Sequence, residues 1–316
     1  GSDTSTIDVS SIPDKRYYKI LMDYTQTSDF AGLHRLGNSS IDTGNNYHNR
    51  QSSNGGTDAS SQATYVRLDN GWQSGDRKFA VEYIANKSDK EKLILNHMVR
   101  SVTTGAGQAP QRSEVASKWA NTSNVLDKFQ MMNGGTYADG SEVVVLGWDE
   151  DDTHTTNFWE ELASVTTGSA GDTLQSGTIS AKKYLWIQAS YKNDGAADIN
   201  ALPRFNGDGG ANYSKRTSTN GAADNARTGR TWIDLESGGQ TQRFANMFII
   251  NNASNEKLCI FNQMDYGASG ASTAPNRIEG VAKWSNTSDQ ITSIEWDQRD
   301  AGNYAAGAEL KVWGSN

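Results

Sequence analysis

SKWANTSNVLDKFQMMNGGTYADGSEVVVLG, Ser117 to Gly147, returns later in the chain as AKWSNTSDQITSIEWDQRDAGNYAAGAELKVWG, Ala282 to Gly314. Lys118-Trp119 matches Lys283-Trp284, Asn121-Thr122-Ser123 matches Asn286-Thr287-Ser288, and Gly147 matches Gly314. The offset is 165 positions at the lysines and 167 at the glycines, so one unit is read as written twice. A periodicity present in both copies is stronger than the same periodicity met once.

Working outward, Tyr18 to Tyr24 alternates strictly, with Tyr18, Ile20, Met22 and Tyr24 on one face. Leu185 to Tyr191 repeats the pattern with Leu185, Ile187, Ala189 and Tyr191 inward. Asp42 to Arg50 followed by Asn54-Gly55, and Asp208 to Arg216 followed by Asn220-Gly221, carry residues that reach positive φ cheaply and read as hairpin turns. Short strands are expected at Ser5–Ile12, Thr64–Leu68, Thr231–Leu235, Phe79–Asn86 and Phe244–Asn251, with others around Leu93, Trp119, Phe129 and Val144 and their counterparts. That makes about eight or nine strands per copy, with no convincing helical period. The expected fold is all-β: two tandem antiparallel β-sandwich, jelly-roll-like domains related by internal duplication, spanning 1–150 and 151–316. The junction, Trp148 to Glu161, is short, acidic and polar, which favours closely coupled domains over a long tether.

A chain of 316 residues is long enough for two cores. Its net charge of −8, with no basic block, argues against a nucleic-acid partner, whose affinity rests on Lys and Arg neutralising phosphates. The single cysteine, Cys259, cannot form an intrachain disulfide and reads as a small buried hydrophobe. No signal-peptide core and no apolar run near 18 residues stands out, so no membrane partner is expected.

Catalytic signatures are wanting. His34, His48, His97 and His154 lie in unmatched contexts without metal-ligand spacing, and there is no nucleophile elbow, zincin motif or P-loop. The chain is read as a non-enzyme that needs no cofactor. Asp42-x-Gly-x-Asn46 and Asp208-x-Gly-x-Asn212 offer oxygens to a cation, so Asp42 and Asp208 are candidate metal ligands; the competing reading is a turn closed by the aspartate itself. Nine tryptophans invite a search for stacking surfaces. Trp119 and Trp284 recur and Trp296 shares a face with Ile294, which assigns all three to the core. Trp186 points away from the inner face of its strand, where the first copy has Lys19. Trp232 alternates away from Ile233 and Leu235, with Tyr65 as its counterpart. Outward aromatics on a sandwich mark a surface for protein or saccharide, so Trp186, Trp232 and Tyr65 are the candidate binding residues. Cover from a neighbouring loop or domain is the alternative.

Ile179-Ser-Ala-Lys-Lys-Tyr-Leu185, Arg204-Phe-Asn-Gly-Asp-Gly-Gly-Ala-Asn-Tyr213, Asn220-Gly221, Ile291-Thr-Ser-Ile294 and Asn303 to Gly314 together resemble a recurring module of tailed-bacteriophage virion proteins, including tail fibres and capsid-associated proteins. The first copy departs from it with Leu36-Gly37-Asn38 where Arg204-Phe205-Asn206 stands in the second. The resemblance implies a virion structural part, on a capsid as decoration or in a tail or fibre, present in many copies or as a homo-oligomer among other virion proteins. It carries over no catalytic residue. Two further hypotheses are a saccharide-binding module that takes a host surface glycan and a glycan-cleaving enzyme on a β-sandwich.

Overall fold

A computed structural model describes residues 3–69, 74–153, 157–195, 199–235, 242–266, 270–298 and 301–316, apart from the side chain of Asn133. His154 and part of the expected junction fall outside the described residues. The described residues form strands, turns and irregular segments and no helix. The chain divides into two compact units, 1–102 with 111–155, and 103–110 with 156–316. Residues 103–110 thus count with the second unit, although in sequence they fall within the first.

The first unit contains β1 (Thr4–Ser10), β2 (Tyr17–Thr25), β3 (Leu33–Asn38), β4 (Ser40–Ile41), β5 (Tyr47–Ser53) and β6 (Ala59–Ala63). It continues with β7 (Val66–Arg67), β8 (Arg77–Ala85), β9 (Lys92–Arg100), β10 (Gln111–Trp119), β11 (Lys128–Tyr137) and β12 (Glu142–Trp148). The larger sheet runs β12-β2-β8-β9-β10-β5-β6, and the smaller β1-β11-β3-β4 with β7 beside β3. All these ladders are antiparallel, and Tyr18, Ile20, Met22, Ile94, Met98, Leu36, Phe129 and Met131 fill the space between the sheets.

The second unit contains β13 (Glu160–Thr166), β14 (Thr173–Gln175), β15 (Tyr184–Tyr191), β16 (Ala201–Phe205), β17 (Tyr213–Thr219) and β18 (Asn225–Arg230). It ends with β19 (Arg243–Ile250), β20 (Lys257–Asp265), β21 (Asn276–Trp284), β22 (Ile294–Gln298) and β23 (Glu309–Ser315). Its larger sheet runs β13-β23-β15-β19-β20-β21-β17-β18 and its smaller β14-β22-β16. With β13 set aside, the larger sheet repeats the first unit's order, whereas β4 and β7 of the first unit's smaller sheet have no counterpart in β14-β22-β16. Each unit is an antiparallel β-sandwich. The inward alternation expected at Leu185, Ile187, Ala189 and Tyr191 is met, and Cys259 is in the same core.

The strand count exceeds the expected eight or nine because short pieces such as β4 and β7 satisfy only a few backbone groups. Thr64–Leu68 shrinks to the two residues of β7, and Thr231–Leu235 is no strand at all. There Ile233 and Leu235 donate single backbone bonds to Pro203 and Ala201 and bury their side chains without a ladder. The Asn-Gly turns are as expected: Asn54 and Gly55 (φ 52° and 69°) and Asn220 and Gly221 (φ 53° and 74°) take the left-handed conformation of a tight hairpin.

One arrangement closes the same corner of each sandwich. In the first unit the Trp119 indole N–H donates to Asp42 Oδ2 at 2.7 Å, and Asn46 Nδ2 and the Gly44 amide donate to the same carboxylate. Tyr47 stacks on Trp119 at 6.4 Å, and its hydroxyl serves both the N–H and the C=O of Leu36. Lys92, fully buried, lies 5.7 Å over the indole and caps the Asn121 carbonyl. The second unit repeats this with Trp284 to Asp208 at 2.6 Å, Asn212 and Gly210 on that carboxylate, Tyr213 on Phe205, and Lys257 on Asn286. Burial raises the pKa of Asp208, but the bonds from Trp284, Asn212 and Gly210 and the Arg204 charge outweigh it and hold the carboxyl below its ordinary value.

The cores differ in one respect. Glu82 and Asn96 face inward beside Ile20, and His34 Nε2 lies 2.9 Å from Glu82 Oε2 with both side chains fully buried. At the same registers the second unit has Met247, Phe261 and Pro203.

In Tyr213→Phe the buried N–H and C=O of Phe205 lose their shared hydroxyl, and urea denaturation should report a loss of about 1–3 kcal/mol. A carboxyl whose folded pKa is depressed contributes stability that is present above its unfolded pKa and lost as pH falls through the folded one. The denaturation midpoint should therefore drop below about pH 4, and drop less steeply in Trp284→Phe, whose Asp208 has lost its indole donor.

Candidate functional site

Strand alternation that sends Tyr18 and Ile20 inward sends Tyr17 and Lys19 outward. Pairing across the first unit's larger sheet then builds two rows on its outer face. One runs Trp148, Tyr17, Ala85, Leu93, Lys118, and the other Leu146, Lys19, Tyr83, Leu95, Ala116. Leu93 and Leu95 are each 59% exposed, Tyr83 41%, Tyr17 38% and Trp148 36%. These side chains line a shallow apolar depression of about 480 Å³. An apolar depression rimmed by aromatic side chains is a kind of surface that protein and ligand contacts use.

Its rim is held in place. Tyr17 and Trp148 stack at 5.8 Å with 28° between the rings. The acidic run after Trp148 folds back on the start of β2: Lys15 Nζ pairs with Asp149 at 3.3 Å and with Asp152, and the Arg16 amide donates to Asp149 Oδ1 at 2.6 Å. Two carboxylates of the acidic junction, Asp149 and Asp152, thus hold the start of β2 beside the aromatic pair. Lys19 lies among the apolar side chains with its Nζ 5.3 Å from the Tyr83 ring centre, and burial pulls its pKa down to about 8.

The residues singled out in the sequence are found elsewhere. Trp186 is on the outer face of the second unit's larger sheet, as its parity requires, but is half-buried. Phe248 stacks on it at 5.7 Å, Trp313 is at 4.8 Å and Trp159 at 5.7 Å, and its indole N–H donates to Asn246 Oδ1 at 2.6 Å. Trp232 is half-buried under the Arg230 guanidinium at 5.1 Å. Tyr65 is half-buried near Arg67 at 5.9 Å, and its carbonyl accepts from Asn49. These three do not share one strand or sheet row. The carboxylates of Asp42 and Asp208, the candidate metal ligands, accept hydrogen bonds from indole, amide and backbone N–H groups, as in a turn closed by the aspartate itself. Among the described residues no group of three His, Cys, Asp or Glu side chains is arranged to hold a metal.

Sequence reasoning missed Leu93, Leu95, Tyr83, Tyr17 and Trp148. The available signal was the alternation itself: Lys92-Leu93-Ile94-Leu95-Asn96 puts both leucines opposite the buried Ile94.

A lysine whose folded pKa lies near 8 and whose ordinary value is 10.5 binds fewer protons folded than unfolded between those limits. The Lys19 contribution to stability should therefore rise with pH across about pH 8–10, and Lys19→Met should reduce the slope of the denaturation midpoint over that range.

No protein-family model matches the chain, and no curated protein matches it. Among solved structures the chain is similar to the LG1–3 region of the laminin α2 chain, at 8% identity and a TM-score of 0.26, over 98% of this chain and 64% of that one. It is also similar to domains LG4–5 of the mouse laminin α1 chain, at 11% identity and a TM-score of 0.20, over 98% of this chain and 86% of that one. The chain therefore spans 64% of the length of the laminin α2 structure it matches.

Proposed function

We propose that the protein is a structural part of a tailed-phage particle, a capsid decoration or tail component built from two copies of one ancestral sandwich, and that it works through protein contacts. The observation that carries this reading is the exposed apolar face of the first unit, where Leu93 and Leu95 leave more than half of their surface in water. Burying such a patch against a partner would contribute roughly 25 cal/mol per Å² of apolar surface removed from water. Many symmetric copies on one particle would make a modest contact per chain sufficient. The motif resemblance in Arg204–Tyr213 and Asn303–Gly314 supplies the kind of assembly.

A second reading is a saccharide-binding module. The stacked, partly exposed Tyr17–Trp148 pair beside Tyr83 favours it, since aromatic faces at the rim of a shallow depression suit a sugar ring.

Particles of the encoding phage, assembled with Leu93→Asp/Leu95→Asp protein, should retain at most one tenth of the wild-type copies per particle by quantitative mass spectrometry. Wild-type occupancy in that variant would defeat the assembly reading. Glycan-array binding that disappears in Tyr17→Ala and Trp148→Ala would replace it with the second.

A further inference from the structure

Among the described residues the second unit's larger sheet has one strand, β13, that the first unit's lacks, and the two open features of the first unit lie where that strand and its leader would be. β13 pairs with β23 through Ala163 to Val312 and Val165 to Leu310, with a bulge after Glu161. Leu162, Ala163 and Val165 pack on the core, and Leu310 and Val312 are fully buried beneath. Just ahead of the strand, Trp159 lies against Trp186 at 5.7 Å and Phe248 at 6.3 Å, on the outer face of the sheet.

In the first unit β12 has the place of β23: Val145 is opposite Ile20 as Val312 is opposite Ile187, and Val143 is opposite Met22 as Leu310 is opposite Ala189. Among the described residues β12 pairs with β2 and with no second strand. Val143 and Val145 are only half-buried. The edge reads Val143-Val144-Val145-Leu146, without the lysine, proline or bulge by which edge strands avoid pairing. Beside it, Lys19 and Tyr83 occupy the registers of Trp186 and Phe248, and the apolar depression lies open where Trp159 covers the second unit.

We infer that the outer edge of β12 takes a β-strand from a different protein, not from a second copy of this chain, with an aromatic residue just ahead of that strand seated in the depression of Tyr17, Tyr83, Leu93, Leu95 and Trp148. The partner segment has the pattern of Phe158–Thr166: aromatic first, then apolar side chains on alternate positions. Main-chain pairing supplies affinity and the aromatic pocket supplies register, as in other cases of strand addition. The inference deepens the assembly reading and rests on it only in taking the partner to be a protein.

The test uses the full chain and a fluorescent peptide of residues 157–167 (NFWEELASVTT) as probe. Saturable binding by anisotropy is expected, weakened at least tenfold by Leu95→Asp or Leu146→Glu in the protein. It should weaken as much by alanine at the peptide's Trp159 position, or by N-methylation of alternate peptide amides, which removes strand pairing and leaves the side chains in place. No binding to the wild-type chain, or binding unchanged by N-methylation, would overturn the inference. So would a concentration-dependent dimer in sedimentation that the peptide dissociates, since the occupant would then be a second copy. Leu95 is more than half exposed, so its variant should fold, and circular dichroism checks this. If the peptide fails while Leu93→Asp/Leu95→Asp still removes the protein from particles, the strand is wrong and the assembly reading stands.

Discussion

The indole N–H bond to an aspartate that closes its own turn is the constraint on which each sandwich depends. A long loop crosses from the smaller sheet to the larger between β3 and β5, and again between β16 and β17. Most of this loop is exposed, but its aspartate is half-buried and must find partners for its carboxylate. Asp42 and Asp208 do this by collecting three kinds of N–H, from the loop backbone, a loop asparagine and a strand tryptophan. The neighbouring tyrosine extends the arrangement to the smaller sheet by serving both backbone groups of one residue. A buried lysine over the indole then ties in the loop that follows the tryptophan strand. Five side chains thus fix the relation of two sheets, and the same residue types, Asp, Asn, Tyr, Lys and Trp with a loop Gly, do so in both units.

With that corner fixed, the remaining positions are free to diverge. The inward registers of the second unit are apolar at Met247, Phe261 and Pro203, whereas the first unit holds Glu82, Asn96 and His34 there. Buried polar groups are tolerable only when they pair with one another, and the 2.9 Å contact between His34 Nε2 and Glu82 Oε2 is such a pair. Such a pair is weak evidence for stability, because paired burial of polar groups recovers little more than its own desolvation cost. It shows that the backbone register, not the chemistry of each core residue, is what the two units hold in common.

The outer faces diverge further, and this difference carries the functional argument. In the second unit aromatic side chains stack in a cluster of Trp159, Trp186, Phe248 and Trp313. In the first, two leucines, Tyr83 and the stacked Tyr17–Trp148 pair lie open around Lys19, next to a sheet edge with no charge along its valines. Two sandwiches with the same order of seven strands in their larger sheets thus present one covered face and one open face.

The alternation of Tyr18 to Tyr24 and Leu185 to Tyr191, the Asn-Gly turns and the repeated Lys-Trp and Asn-Thr-Ser text were legible in the sequence, because side-chain parity and positive φ are local properties of a strand or a turn. They determined an all-β chain with two matched halves and put Trp119, Trp284 and Trp296 inside. Parity also sent Trp186 outward, but it could not say that Trp159 would cover it, nor that Trp148 and Tyr17 would stack. Whether an outward side chain is open or covered depends on segments that meet it from far along the chain. The carboxylate of Asp42 likewise looked available until Trp119, 77 positions away, was seen to occupy it. The sequence by itself determined which face of each strand is buried; only the tertiary structure decided which outer faces stay exposed, because exposure is set by what packs on a residue and not by the residue's own neighbours.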